Sequence, residues 1–365
     1  MDFLTNLSIL INFSAVVQAF ILIAQLKRGR YLHKVTNRLL AIVLIAFVLI
    51  ILNSIRVLFD PFFFDTYELY SNAFLLVITP SLYLYISFLT HSTEMYEKRQ
   101  LWNYAPFIAY ISVMITLNLL GKGKNSPLVE TLSNVGFVLF MIQNLVYITA
   151  SFVLLRNHRE EIKKQYSYTI SVSLNWVKTV LISYSITFVL ATSFYFYQIK
   201  MGPIPDLINL NIVLIYSIHI IVLTHKSLSK PEILFKLKPY QDAKIDLAAT
   251  QDIFKRVVRL VEEEKLYLNA KLTLKDISDQ LGLSSSSLSQ SINQTTKGNF
   301  FDFINRYRVE EVKKKVSDPR YRHLTLLAIA EECGFQSGSV FSIAFKKNTG
   351  IKPSEYRKNA LDKPA

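Results

Sequence analysis

Seven long apolar segments fill most of the first 225 residues, and they constrain the fold more than any other feature of this sequence. Each segment is close to the ~20 residues that an α-helix needs to cross the hydrocarbon core of a bilayer. We place the segments at residues 3–26, 39–59, 69–90, 102–120, 132–155, 174–197 and 207–224. This pattern predicts a bundle of seven transmembrane helices.

Charge divides the chain at the end of the seventh segment. Half of all residues are hydrophobic, yet the formal net charge is +14, and residues 226–365 hold 25 of the 41 lysines and arginines. The apolar and the basic parts of the chain therefore suit different solvents. We predict a membrane domain at 1–225, a linker at 226–247 that contains Pro231 and Pro239, and a basic, water-soluble domain at 248–365.

The loops between the apolar segments predict how the membrane domain is oriented. The first, third and fifth loops carry clusters of lysine and arginine, whereas the second loop, residues 60–68, is acidic and aromatic. Positively charged loops stay on the cytoplasmic side of a membrane. The N-terminus is therefore expected outside and, after seven spans, the basic C-terminal domain inside the cell.

The basic domain contains a helix-turn-helix pattern. An apolar stripe with helical spacing is formed by Leu326, Ile329, Ala330 and Cys333. Gly334 follows it, where a left-handed residue would end the helix. Ser337 is expected to cap a second helix that buries Phe341 and Phe345 and exposes small polar residues. Two short helices joined by a glycine turn in this way are typical of DNA-binding units.

The same pattern occurs once more, 52 residues upstream. Ile277, Gly282, Leu288, Ile292 and Gly298 correspond in this repeat to Ile329, Gly334, Val340, Ala344 and Gly350. We assign the first unit to 272–298, with Thr273 as the N-cap of its first helix, and the second unit to 324–350. Further helices are predicted at 248–264 and, between the two units, at 300–316. Two recognition helices on one connecting helix can enter successive major-groove turns, roughly 34 Å apart.

These residues closely resemble the signature of the AraC/XylS family of bacterial transcription regulators. The resemblance is carried by Ile329-Ala330, Gly334-Phe335, Ser337, Ser339, Phe341, Phe345-Lys346-Lys347, Gly350, Pro353 and Tyr356-Arg357, and upstream by Leu288-Ser289-Gln290, Asn299-Phe300 and Tyr307-Arg308. It covers about residues 250–360. A seven-span region fused to such a domain is also similar to the membrane-bound members of the family that are common in Bacteroidota.

The resemblance implies an all-α chain, with a seven-helix membrane bundle followed by an all-helical tandem helix-turn-helix domain. It further implies a membrane-embedded, one-component transcription regulator of the bacterial inner membrane, with its DNA-binding domain in the cytoplasm. The expected partners are double-stranded promoter DNA, the lipid bilayer and a periplasmic or membrane signal, and a second copy of the chain is a further candidate. No cofactor is expected.

Base contacts are expected from the exposed faces of the two recognition helices. By position in the resembling family, the candidates are Ser286, Ser289 and Gln290 in the first unit, and Gly338, Ser339, Ser342 and Ile343 in the second. Gln290 is the best single candidate because its amide can pair with N6 and N7 of adenine. The alternative is that it is a solvated helix residue.

The second unit departs from the family pattern, because Ile343 stands where an arginine or another long polar side chain is common. This isoleucine could touch a thymine methyl group or be inactive, and Gly338 offers no side chain. We therefore expect weaker direct base reading by this unit, which would depend on DNA shape and phosphates. The phosphate candidates are Lys297, Lys346, Lys347 and Arg357, with Lys352 and Lys358, although a solvated charged face would have the same composition. The aromatic residues Phe335, Phe341, Phe345 and Tyr356 are expected in the core.

Only three residues within the apolar segments suggest a signal-binding site, namely Arg56, Lys178 and His219. Charge at membrane depth is often functional. Snorkelling near helix ends is a sufficient explanation for Arg56 and Lys178. A histidine such as His219 more often makes a helix–helix hydrogen bond than binds a ligand. The aromatic loop at 61–64 could be a ligand lid or an interfacial anchor.

The sequence contains no enzyme motif. Its six histidines are scattered without metal-ligand spacing, and it has neither a phosphate-binding glycine loop nor a nucleophile elbow. The lone Cys333 suits a helix core. The alternative from another class is a transporter or channel with a regulatory DNA-binding tail, and release of the regulator by proteolysis in the linker also stays open.

Overall fold

The structure is a computed structural model of the 365-residue chain. It describes residues 3–27, 34–55, 70, 72–90, 97–122, 126–168, 174–202, 214–224 and 247–361. Every regular element in these ranges is a helix. The described residues also form one isolated β-bridge, which joins Tyr166 and Thr273. The chain divides into two compact units, one of Met1–Arg156 with Leu174–Leu237 and one of Asn157–Ser173 with Lys238–Ala365.

In the N-terminal unit a helix lies at each of the seven predicted positions. These are α1 (Phe3–Lys27), α2 (Lys34–Ile55), α3 (Leu75–Thr90), α4 (Ala105–Leu119), α5 (Pro127–Gln165), α6 (Asn175–Met201) and α7 (Leu214–Thr224). Among the described residues, α1, α2, α5 and α6 are long and apolar enough to cross a membrane. The apolar helices α3 and α7 are shorter, and α4 has 15 residues. Four candidate spans are therefore found, and a count of seven stays a prediction.

The N-terminal unit buries polar side chains and exposes large apolar ones. The Ser217 hydroxyl donates to Asn12 Oδ1 at 2.7 Å, Tyr184 donates to Asn144 Oδ1 at 2.9 Å, and Gln143 donates to a backbone carbonyl of α3 at 2.6 Å. All five side chains are buried. The exposed apolar residues of the same helices include Phe13, Phe20, Ile142, Leu145 and Ile186. Helices that pack through polar contacts and turn apolar side chains outward are typical of proteins in a bilayer.

The C-terminal unit contains seven α-helices in its described part. They are α8 (Leu247–Glu263), α9 (Leu274–Leu281), α10 (Ser285–Thr296), α11 (Phe300–Ser317), α12 (Leu326–Glu332), α13 (Gly338–Thr349) and α14 (Pro353–Leu361). They enclose two small apolar cores, one for each predicted helix-turn-helix unit. Helix α11 supplies Phe303 and Ile304 to the first core and Val309 and Val312 to the second. It is the predicted connecting helix.

Local capping explains where these helices begin. Thr273 and Asp276 form a reciprocal capping box at α9, with contacts of 2.8 and 3.2 Å, and Ser337 Oγ accepts the backbone N–H of Val340 at α13. Both caps confirm the sequence prediction. Gly334 has the left-handed φ of 88° that was predicted for it. In the first unit the left-handed residue at the end of α10 is Lys297, at φ 51°.

The boundary between the two units differs from the predicted one. The sequence predicts residues 157–168 in the membrane domain, but their contacts group them with the C-terminal unit. This segment comprises the last nine residues of α5 and residues 166–168. The backbone N–H of Ser167 donates to the Leu272 carbonyl at 3.2 Å, and Tyr166 lies opposite Thr273 in the antiparallel bridge. Hydropathy locates the end of an apolar segment, but it does not indicate where the polar residues beyond it pack.

Candidate nucleic-acid interface

The second recognition helix, α13, presents a clear outer face. Ser339, Ser342 and Ile343 are exposed, while Phe341 and Phe345 on the opposite side are 3% and 1% exposed. Because successive residues of a helix are rotated by about 100°, these exposed residues form one continuous strip. The predicted base-contacting residues of the second unit are thus free to reach a ligand.

An apolar patch lies within this strip. Ile343 is 68% exposed and Leu327, at the start of α12, is 46% exposed. Within residues 250–360, for which side-chain burial is described, no other large hydrophobic residue is as exposed. They line an open groove together with Gly338, Lys346 and Lys352. A Cβ at Gly338 would lie 3.3 Å from Leu327 Cδ1, so a larger residue there would narrow the groove.

The first recognition helix, α10, is more enclosed than α13. Ser286 is half-buried, and its hydroxyl oxygen lies 3.0 Å from that of Ser284. Gln290 is also half-buried, and its Oε1 is enclosed without a hydrogen-bond partner among the described residues. This amide can accept a hydrogen bond from a ligand only when the side chain turns its Oε1 outward, where the oxygen gains a partner.

The prediction that Ser289 lies on the exposed face is wrong. Its side chain is 1% exposed. Ser289 lies one helical turn after Ser285, whose hydroxyl oxygen is 2.9 Å from that of Ser278 in α9. Residues four positions apart share a helix face, so Ser289 faces the interior of the unit, and its short side chain does not reach out.

The predicted phosphate-contacting residues differ in their surroundings. Lys297 and Lys346 are exposed. Lys347 is also exposed, but its Nζ lies 2.8 Å from a carboxylate oxygen of Asp302. Arg357 donates through both terminal nitrogens to the carbonyls of Leu324 and Arg322, each at 2.8 Å, so it holds the chain that leads into α12. The sequence pattern gave no sign of this structural role for Arg357.

The most strongly engaged side chain of the C-terminal unit, Arg308 of α11, was not among the predicted functional residues. It is 1% exposed and donates to the carbonyls of Tyr267, Asn269 and Ser167, each at 2.8 Å, and to Asn305 Oδ1 at 3.1 Å. Burial lowers the pKa of its guanidinium to about 10, so it remains charged at neutral pH. Its place in the family signature was the only sequence signal for it.

The turn of the second unit packs against the same group. A Cβ at Gly334 would lie 2.6 Å from the Tyr267 carbonyl oxygen and 2.9 Å from Arg308 Nε. Gln336, two residues later, donates to the Ala270 carbonyl at 3.0 Å. Arg308 therefore lies where the connecting helix, the turn of the second unit and the segment before the first unit meet.

The three candidate signal residues have different surroundings. His219 is 5% exposed, with Nδ1 2.8 Å from the Ile215 carbonyl and Nε2 3.4 Å from Thr187 Oγ1, as in a helix–helix contact. Lys178 is exposed in the first turn of α6, and Arg56 lies outside the described residues. The described part of the chain contains no group of three or more side chains that could hold a metal ion.

Comparison with known proteins places the C-terminal unit in a family. A family model described as "Helix-turn-helix domain" matches residues 277–359. The transcriptional regulatory protein YesN of Bacillus subtilis is 32% identical over 108 residues, which are 29% of this chain and 28% of that protein. A Streptomyces lividans protein that carries the name of an AraC-like transcription regulator is 31% identical over 87 residues, 24% of this chain and 28% of its own. The C-terminal domain belongs to the AraC/XylS family of transcription regulators.

The likeness concerns the AraC-type domain rather than the whole chain. The transcriptional regulatory protein HptR of Staphylococcus aureus is 29% identical over 104 residues, 28% of this chain and 40% of its own length. The chain thus spans well under half of these curated relatives. A solved Listeria innocua protein of unknown function matches 29% of this chain and 96% of its own, at 27% identity and a TM-score of 0.26.

Proposed function

We propose that this chain is a membrane-embedded, one-component transcription regulator that binds promoter DNA sequence-specifically through its two helix-turn-helix units. The observation that carries the proposal is the AraC-type domain itself, in which two capped helix pairs flank one connecting helix. A tandem arrangement of this kind fits two major-groove segments on one side of a duplex.

Within this proposal the two units have unequal roles. Gln290 reads an adenine in the first unit, because it lies half-buried on the recognition helix and its amide can form two hydrogen bonds to that base. The exposed strip of Ser339, Ser342 and Ile343 reads mainly groove shape and thymine methyl groups in the second unit. Lys297 and Lys346 contact phosphates, which sets affinity without selecting sequence.

The proposed membrane location rests on the N-terminal unit. Four helices have the length and composition to cross a bilayer, and the unit pairs its polar side chains internally while its apolar side chains face outward. With seven spans and the predicted orientation, the AraC-type domain lies in the cytoplasm, on the same side as the chromosome. The seven helices then sense a signal from the periplasm or the bilayer.

Labelling with a membrane-impermeant maleimide in intact cells tests the orientation. The loop after α4 is expected outside and the polar end of α5 inside, so Lys122→Cys should be labelled and Arg159→Cys should not. Both positions are exposed, and the native Cys333 is buried, which keeps the background low. The reverse labelling pattern, or extraction of the protein from membranes by alkaline carbonate, would contradict the proposed topology.

Genome-wide crosslinking of the tagged full-length chain tests the DNA-binding function. We expect discrete promoter peaks that are lost in Gln290→Ala. The matched control is Thr295→Ala, at an exposed position near the end of the same helix, and it should keep the peaks. A featureless profile from a stable, membrane-bound protein would refute sequence-specific binding.

A further inference from the structure

The end of α5 and the residues after it form a docked segment on the AraC-type unit, which we define as residues 157–168. Ile162 and Ser167 within it are fully buried, and His158 is 9% exposed. Tyr166 pairs with Thr273 as an antiparallel bridge, and Ser167 donates to the Leu272 carbonyl through its backbone N–H at 3.2 Å and through its hydroxyl at 2.7 Å. The docked segment is thus held at the residues that lead into the first helix-turn-helix.

The docked segment also supplies hydrogen-bond acceptors to a buried charged side chain. Ser167 supplies Arg308 with two acceptors, its carbonyl oxygen at 2.8 Å and its hydroxyl oxygen at 3.1 Å. The guanidinium has five N–H groups and little access to water that could replace lost partners, because the residue is 1% exposed. If Ser167 were removed, buried donors of a charged group would lose their partners, a state that proteins avoid.

Arg308 connects both helix-turn-helix units, so the loss of any of its hydrogen-bond acceptors affects both. Its Nε donates to the Tyr267 carbonyl, which lies against Gly334 in the turn of the second unit. Its Nη2 donates to the Asn269 carbonyl, shortly before the first unit. The loss of the Ser167 acceptors would loosen the junction that sets the two recognition helices relative to each other.

We propose that residues 157–168 are an internal regulatory ligand of the AraC-type domain, and that their docking at Arg308 holds the domain in its high-affinity arrangement. Helix α5 is continuous over 39 residues, about twice the ~20 that a bilayer needs, and its residues before 157 belong to the N-terminal unit. A signal that withdraws this helix end would weaken DNA binding. This inference rests on the proposed function of the chain as a membrane-embedded regulator.

A cysteine pair tests the docking directly. Tyr166 and Thr273 are the non-hydrogen-bonded pair of the bridge, for which Cα atoms lie about 4.5 Å apart, within the range that a disulfide accepts. Tyr166→Cys with Thr273→Cys should therefore crosslink on mild oxidation of the full chain in membranes. Asn157→Cys with Thr273→Cys is the control, because residue 157 lies roughly 13 Å farther back along the helix at 1.5 Å per residue, and it should not crosslink.

Promoter occupancy of the full-length chain tests the regulatory role. Ser167→Arg places a long cation beside Arg308 and should lower occupancy at least about fivefold, at the low end of measured allosteric couplings. Asn157→Arg makes the same charge change at an exposed position of the same segment and should leave occupancy unchanged. Ser167→Ala, which removes only the hydroxyl, should lower occupancy less and serves if the arginine variant does not accumulate.

The outcomes separate this inference from the function on which it rests. Two results would overturn the inference alone, provided that the unaltered chain occupies promoters. One is unchanged or increased occupancy in both Ser167 variants, and the other is a cysteine pair at 166 and 273 that does not crosslink. Absence of specific occupancy by the unaltered chain would defeat the proposed function and the regulatory role with it. A crosslink together with lower occupancy in the Ser167 variants is the expected result.

Discussion

Gly334→Ala should destabilise the AraC-type domain far more than the same change at Gly350. Both glycines have a left-handed φ, 88° and 82°, so alanine meets a similar backbone penalty at each position. They differ in their surroundings. A Cβ at Gly350 would have no atom within 4 Å, whereas at Gly334 it would approach two backbone carbonyls, of Tyr267 and Leu268, and Arg308 Nε.

The two costs can be estimated separately. The left-handed conformation costs an L-residue roughly 1–2 kcal/mol, and this is the whole effect expected at Gly350. At Gly334 the new methyl must also displace the Tyr267 carbonyl, which accepts a 2.8 Å hydrogen bond from Arg308. A hydrogen bond to a charged group is worth about 1.5–3 kcal/mol. We therefore expect a loss of roughly 3–5 kcal/mol at Gly334.

The reactivity of Cys333 provides the assay in the intact chain. It is the single cysteine of the sequence, its side chain is fully buried, and burial raises the pKa of its thiol to about 12. Alkylation therefore requires the domain to open, and its rate follows the population of the open form. Since 1.4 kcal/mol is a factor of ten, alkylation should accelerate roughly 5- to 30-fold in Gly350→Ala and about 100-fold or more in Gly334→Ala.

Because residue 334 adjoins Cys333, a substitution there could change the alkylation rate of the thiol itself. The alkylation rate of each variant is therefore also measured in the unfolded chain in denaturant, and the rates of the folded chains are divided by it. Equal acceleration in the two variants would refute the close approach of the second turn to Arg308. Accelerations that differ by about tenfold in the expected direction would support it.

Three further predictions concern the second unit. Phe341→Ala should destabilise the domain by roughly 3–5 kcal/mol, whereas Ile343→Ala, on the exposed strip, should stay within about 0.5 kcal/mol; denaturant unfolding compares them, and equal losses would refute the core assignment. Ile343→Arg should change DNA affinity or sequence preference in a quantitative binding assay, and no change would count against any contact there. Lys346→Gln should reduce the slope of the logarithm of DNA affinity against the logarithm of salt concentration by about one. Lys347→Gln should reduce this slope by less, because Lys347 is paired with Asp302. Equal slopes in both variants and the unaltered chain would show that Lys346 does not contact a phosphate.

Much of the C-terminal fold could be predicted because its signals are local. The capping box at Thr273, the cap at Ser337 and the left-handed Gly334 each follow from residues within one or two helical turns. The burial of Cys333 and Phe341 follows from helical spacing in the same way. Each of these features depends on short-range geometry that a sequence pattern records.

Features that depend on distant contacts could not be predicted. Ser167 and Arg308 are 141 positions apart, and no periodicity links the residues after an apolar segment to a helix so distant in the sequence. The position of Ser289 in the family signature predicts an exposed residue, but tertiary packing buries its side chain. Arg357 appeared to be a phosphate ligand by its charge, although its hydrogen bonds are to backbone carbonyls. Burial and hydrogen-bond partners of such residues are set by tertiary packing.

DNA capture by washed membrane vesicles that carry the full-length chain tests the central claim most directly. Fragmented genomic DNA is incubated with the vesicles, and the retained fragments are sequenced for the unaltered chain and for Gln290→Ala. We predict that a small set of promoter fragments is strongly enriched and that Gln290→Ala loses them while the protein stays in the membrane. Two results would contradict a regulator that reads DNA from the membrane. The vesicles could retain DNA without enrichment of any sequence, or specific binding could be found only in a soluble fragment released from them.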